Sequence, residues 1–170
     1  MPRQFTNFLE APNPSMLNMY QTLIYLHSAM RYLVLIALIG AIITAYKGYF
    51  AKKSFSKTDN AIRHWTATIA HIQLLIGIIL YTQSPIIKYY WGNFKTASQY
   101  LENNFFGIIH LILMLTAIVI ITIGSALAKR KQTDKDKFKT MLTWFSVALL
   151  IIFLAIPWAF SPLANRPYFR

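Results

Sequence analysis

Residues 105–128 read FFGIIHLILMLTAIVIITIGSALA, a run with no Asp, Glu, Lys or Arg and a single imidazole, His110. About 20 mostly apolar residues cross a bilayer as a helix. Inside hydrocarbon every backbone N–H and C=O must find its partner within the protein, which leaves helix as the solution for such a run. Working outward, three more runs have the same character: 22–46, 62–82 and 141–160. Polar and proline-containing residues precede the first run, and it is too long for the apolar region of a signal peptide. It is therefore expected to stay in the membrane.

The remainder of the composition fits this frame. The chain has 170 residues, 56% of them hydrophobic, against 17 Lys+Arg, 5 Asp+Glu and a net charge of +12. Such apolarity and charge coexist only if they are segregated along the chain, and here the cations crowd between the runs. The acids are too few and too scattered for an enzyme built on paired carboxylates. With Cys at 0 there is no disulfide, thiolate metal site, iron–sulfur cluster or c-type haem attachment.

The links between the runs are moderate in length, so sequential runs are expected to lie antiparallel. The fold class read from the sequence is all-α: one membrane domain, a four-helix up-down-up-down bundle. Gly40, Gly77, Gly107 and Gly124, with Ala70, Ala117 and Ala128, offer small surfaces for close helix packing. Pro157 is expected to kink or stop the fourth helix.

Orientation follows from the links. The first carries Lys47, Lys52, Lys53, Lys57 and Arg63 against Asp59. The third carries Lys129, Arg130, Lys131, Lys135, Lys137 and Lys139 against Asp134 and Asp136. These are eleven of the 17 cations, and the positive-inside rule places both links in the cytoplasm. Both termini and the second link are then expected on the outer side of the membrane, which is the periplasmic side if the membrane is a bacterial inner one. The basic residues then read as topology and as contacts to anionic lipid headgroups, with no nucleic-acid partner. The second link, 83–104, holds Tyr89, Tyr90, Trp91, Phe94 and Tyr100, an aromatic belt for the outer interface. A short interfacial helix is expected over 94–103.

Polar residues inside the runs are the functional candidates. At 1.5 Å per residue, His27 lies about 9 Å and His110 about 8 Å from the outer ends of the first and third helices. These helices sit diagonally in an up-down-up-down bundle. Two imidazoles facing each other at one level are what a bis-histidine b-type haem requires. His71 is deeper, about 18 Å in, and is read as an alternate axial ligand, a hydrogen-bonded network member or a quinone partner. The structural alternative is a set of interhelical hydrogen bonds to carbonyls or to Thr66, Thr68, Thr116 or Thr122. His64 sits at the cytoplasmic end, where no other helix offers a histidine. Arg31, one turn after His27, shares its face and lies too deep to go uncompensated. A haem propionate would compensate it; snorkelling is the alternative. Tyr32, Gln73 and Tyr81 could complete a polar cluster.

Three stretches carry a resemblance: Leu26-His27-Ser28 with Arg31-Tyr32, then 70–77 (AHIQLLIG), and Ile156-Pro157-Trp158. Through them the chain resembles a family of small bacterial four-helix membrane proteins often labelled "cytochrome B". It departs from the family at Ile109, where an acidic residue is expected before His110. The resemblance implies haem b binding and one-electron transfer, more generally in the manner of four-helix cytochrome b subunits that exchange electrons with quinones and partner proteins. The competing expectation is a non-catalytic accessory subunit, without its own cofactor, of a larger inner-membrane respiratory or secretion complex. On either reading the chain is an electron-transfer or accessory subunit more than a stand-alone enzyme, with the lipid bilayer and other membrane subunits as partners.

Overall fold

The computed structural model describes residues 14–161, with side chains from Asn18 onward. Among these residues every element is helical: α1 Pro14–Phe50, α2 Lys57–Gln83, α3 Pro85–Gly92, α4 Phe94–Ala97, α5 Leu101–Asn104, a π-helical turn Phe105–Ile109, α6 His110–Arg130 and α7 Asp134–Ala155. Four spans, Asn18–Phe50, Lys57–Gln83, Leu101–Arg130 and Asp134–Ala155, are long and apolar enough to cross a membrane. They contain the four apolar runs, except that the fourth helix ends before Pro157. Ile156 caps it in extended conformation, as a following proline requires. The helices also extend into the basic links. Lys57 and Arg63 belong to α2 itself, opened by a capping box in which Ser56 and Asp59 exchange hydrogen bonds.

The packing is ordered as a ring, α1 against α2, α2 against α6, α6 against α7 and α7 against α1, with α2 and α6 the most loosely joined. The core is built from small and flat side chains: Ala41, Ala45, Ala70, Ala117, Ala128 and Ala148 are fully buried beside Leu38, Ile121 and Phe145. The outside carries Ile36, Leu75, Val119 and Leu150, all more exposed than buried. Water would penalise so continuous an apolar coat, whereas lipid does not. With no hydrophobic drive between helices in lipid, close approach supplies the attraction. Gly124 lies directly against Trp144 of α7, and Gly48 against the Phe138 ring; a Cβ at either would overlap its neighbour. Gly40, expected to be a packing surface, has nothing within 4 Å of where its Cβ would be.

The second link folds over one end of the bundle. The short helix expected over 94–103 is two separate turns, α4 and α5, and the longer element, α3, precedes them. Tyr89, Trp91, Phe94 and Tyr100 are exposed, as an interfacial belt would be. Tyr90 is not: it is fully buried on Gly107, where a Cβ would come within 2.6 Å of its ring, and its hydroxyl donates to Asn104 Oδ1 at 2.7 Å.

Candidate functional site

Beneath that cap lies a cavity of about 230 Å3, walled by α1, α2, α3, α6 and α7. Its polar residues are Tyr20, His27, Ser28 and Arg31 from α1, Gln73 and Tyr81 from α2, Ser84 between α2 and α3, and His110 at the start of α6. Ile24, Leu74, Met114, Ile152 and Ile156 make much of the apolar wall. The wall includes Ile78, 43% exposed, so it reaches the lipid-facing surface of α2.

The two histidines of α1 and α6 meet here, their ring centroids 6.4 Å apart and their planes at 69°. Each is held by a neighbouring helix. His110 Nδ1 lies 2.8 Å from the carbonyl of Ala155, at the end of α7. Nδ1 therefore carries the proton, and the neutral ring keeps its Nε2 lone pair. The π-turn ahead of His110 offsets the α6 ladder, a departure that recurs at functional sites. The Gly107 carbonyl in that turn accepts from Tyr81 Oη at 2.7 Å, and Tyr81 Oη in turn accepts from Trp91 Nε1 at 2.9 Å. His27 is held from α2. Gln73 Nε2 donates to the His27 carbonyl at 3.0 Å and lies 3.2 and 3.3 Å from the two ring nitrogens. Gly77, one turn further along α2, leaves the ring its space: a Cβ there would stand 3.2 Å from His27 Cε1. Gln73 Oε1 is buried and has no partner among the described residues.

Arg31 stands in the same wall. Its guanidinium lies 4.8 Å from the Tyr32 ring centre and 5.9 Å from that of Trp158, and it donates to Tyr32 Oη at 3.2 Å. Aromatic faces attract a cation by about 0.5–2 kcal/mol and more so when dry. They steady Arg31 beside the cavity.

The other histidines lie elsewhere. His71 is on the exposed face of α2, outside the cavity wall, with Nδ1 2.7 Å from its own helix's Ala67 carbonyl and Nε2 3.1 Å from Thr122 Oγ1 of α6. It makes the interhelical hydrogen bond of the structural alternative. His64 is exposed beside Trp65.

One residue that a charge count assigns to a link turns out to be structural. Arg63 is 5% exposed. Its Nε and Nη2 donate to Asn60 Oδ1 at 3.2 and 2.9 Å, and its Nη1 donates to the Ser125 carbonyl at 2.9 Å and to Ser125 Oγ. It ties α2 to α6, the most loosely joined neighbours in the ring. Its place one residue into an apolar run was the available signal.

These features define the class as a multi-pass helical membrane protein with a mainly apolar cavity, holding a few polar side chains, near one end of its bundle. Comparison with family models, with curated proteins and with solved structures finds no match for this chain.

Proposed function

We propose that the chain is a membrane electron-transfer module that holds one b-type haem between His27 and His110. The observation that carries this reading is the 6.4 Å separation of two imidazoles on different helices in one cavity. A metal held between two imidazole nitrogens at about 2 Å each sets the ring centres about 6 Å apart. The donor count also favours haem over a bare ion. Among the described residues no three His, Asp or Glu side chains gather as a ligand set. A structural zinc ion needs four protein ligands and a catalytic one three, while a porphyrin brings four nitrogens of its own and asks the protein for two axial ones.

When bound, the group supplies a one-electron couple. The chain's residues set its conditions. The Ala155 carbonyl holds the proton on His110 Nδ1 and so leaves Nε2 as the basic nitrogen, and Gln73 orients His27, as partners behind a metal ligand do. Arg31 offers a cation to a propionate. The α3 cap and the apolar wall keep water from the ring nitrogens.

The contacts between helices support an up-down-up-down course. Tyr20 meets Ser84, His27 meets Gln73, and Thr66 meets the Ala37 carbonyl, so α1 and α2 run in opposite directions. Arg63 with Ser125 and Tyr81 with Gly107 say the same of α2 and α6. With the basic links in the cytoplasm, the cavity lies toward the periplasmic side of a bacterial inner membrane.

The test is a reduced-minus-oxidised spectrum of full-length protein from haem-replete cells. His27→Ala and His110→Ala should each abolish the Soret and α-band signal of a six-coordinate haem, and His71→Ala should leave it. A colourless wild-type preparation would overturn the proposal in favour of an accessory subunit without a cofactor.

A further inference from the structure

At the opposite end of α2, away from the histidine cavity, lies a cleft of about 310 Å3 lined by Phe55, Ser56, Lys57, Asn60, Lys129 and Lys137. The three ammonium groups come from three helices, α2, α6 and α7, which only the folded bundle brings together. The groups this cleft has to offer are donors. Asn60 Oδ1 is already taken by Arg63, which leaves its NH2. Ser56 Oγ donates to Asp59 Oδ2 at 2.6 Å and accepts from Asp59 N, so Asp59 is occupied in the capping box. Asp134 bonds Lys137 Nζ at 3.2 Å and offsets part of one charge. Lys137 also lies 5.5 Å from the Phe55 ring centre, and that ring packs on the buried Phe138, so this corner of the cleft is rigid.

We infer that this cleft binds a phosphate group, and that its source is the headgroup of an anionic phospholipid. Three ammonium groups and an amide NH2, with one partly offsetting acid, match an oxyanion carrying several acceptor oxygens. The place in the fold selects the lipid. Lys57 opens α2 and Lys129 lies in the last turn of α6, so the cleft stands at the level where two apolar helices would leave the membrane. Trp65 of α2, 59% exposed, and Ile123 and Leu127 of α6 present an apolar surface just inside that level, where acyl chains would run. Basic pockets between transmembrane helices on the cytoplasmic side suit such headgroups. The inference does not depend on haem.

Full-length protein in a neutral detergent would be titrated with dioleoyl-phosphatidylglycerol, with dioleoyl-phosphatidylcholine and with inorganic phosphate, and bound lipid counted by native mass spectrometry. Phosphatidylglycerol should bind saturably and about tenfold or more tighter than phosphatidylcholine. The triple variant Lys57→Gln, Lys129→Gln, Lys137→Gln should bind it about 100-fold more weakly, each cation near an anionic headgroup contributing about fivefold. Asn60→Asp keeps the acceptor for Arg63 and puts an anion in the cleft, so it should weaken lipid binding without lowering the unfolding temperature. A control triple outside the cleft, Lys47→Gln, Lys52→Gln, Lys139→Gln, removes the same charge and should bind as wild type does. Equal loss in both triples would mean diffuse attraction and overturn the site. Displacement of the lipid by inorganic phosphate at low millimolar concentration would overturn the lipid as its source.

Discussion

The bridge from Arg63 to Ser125 allows a measurement that does not depend on any cofactor. Ser125→Ala deletes the Oγ acceptor and leaves the Ser125 carbonyl for Arg63 Nη1. A hydrogen bond to a charged group contributes a net of about 1.5–3 kcal/mol, and the surviving carbonyl bond points to the lower end, about 1.5 kcal/mol. Arg63→Met removes all four contacts but also removes the cost of keeping a cation 5% exposed, so its own effect is a difference of opposing terms. The coupling in a double-mutant cycle is free of that ambiguity. In the Arg63→Met background there is no donor for Ser125 Oγ to lose, so Ser125→Ala should cost almost nothing. The expected coupling is about 1.5 kcal/mol, read from reversible unfolding in mixed detergent followed by circular dichroism. Independent sites add to within about 0.3–0.5 kcal/mol. A coupling inside that range would show that the Arg63–Ser125 Oγ bond contributes nothing to stability and would refute the reasoning.

Two further outcomes separate close packing and ligand support from mere composition. Gly124→Ala forces a methyl into Trp144 and should destabilise by about 1–3 kcal/mol. Gly40→Ala meets nothing and should be neutral or stabilising by up to about 1 kcal/mol; equal effects in the same unfolding assay would argue against the Gly124–Trp144 contact. On the haem proposal, Gln73→Leu removes the amide that holds His27 and should weaken haem retention about 10–100-fold while the fold persists. Unchanged retention in a haem-transfer assay to apomyoglobin would exclude Gln73 as a support for that ligand.

The sequence carried the four spans because membrane crossing depends on length and apolarity, both additive along the chain. It also carried the depth of each histidine, since rise per residue is fixed by helix geometry. His27 and His110 were placed at one level by counting, and the structure sets them in one cavity. It could not decide which way side chains face. These helices are apolar nearly all round, so no stripe marks the inward side. His71 thus reads as an alternate ligand, until packing turns it outward to Thr122. Tyr90 reads like its exposed neighbours in the aromatic link, until Gly107 opens a seat for its ring.

The sequence by itself therefore determined that this is a helical membrane protein, where its chain crosses and which links carry the cations. Tertiary structure decided the rest: that Arg63 is a buried tie, that Lys57, Lys129 and Lys137 share a cleft, and that His27, Gln73, Arg31 and His110 line one cavity. The physical reason is that partition into lipid is a property of each segment. A site, by contrast, depends on the rotation of every helix about its axis, and close contacts such as Gly48 on Phe138 and Gly124 on Trp144 help to fix those rotations.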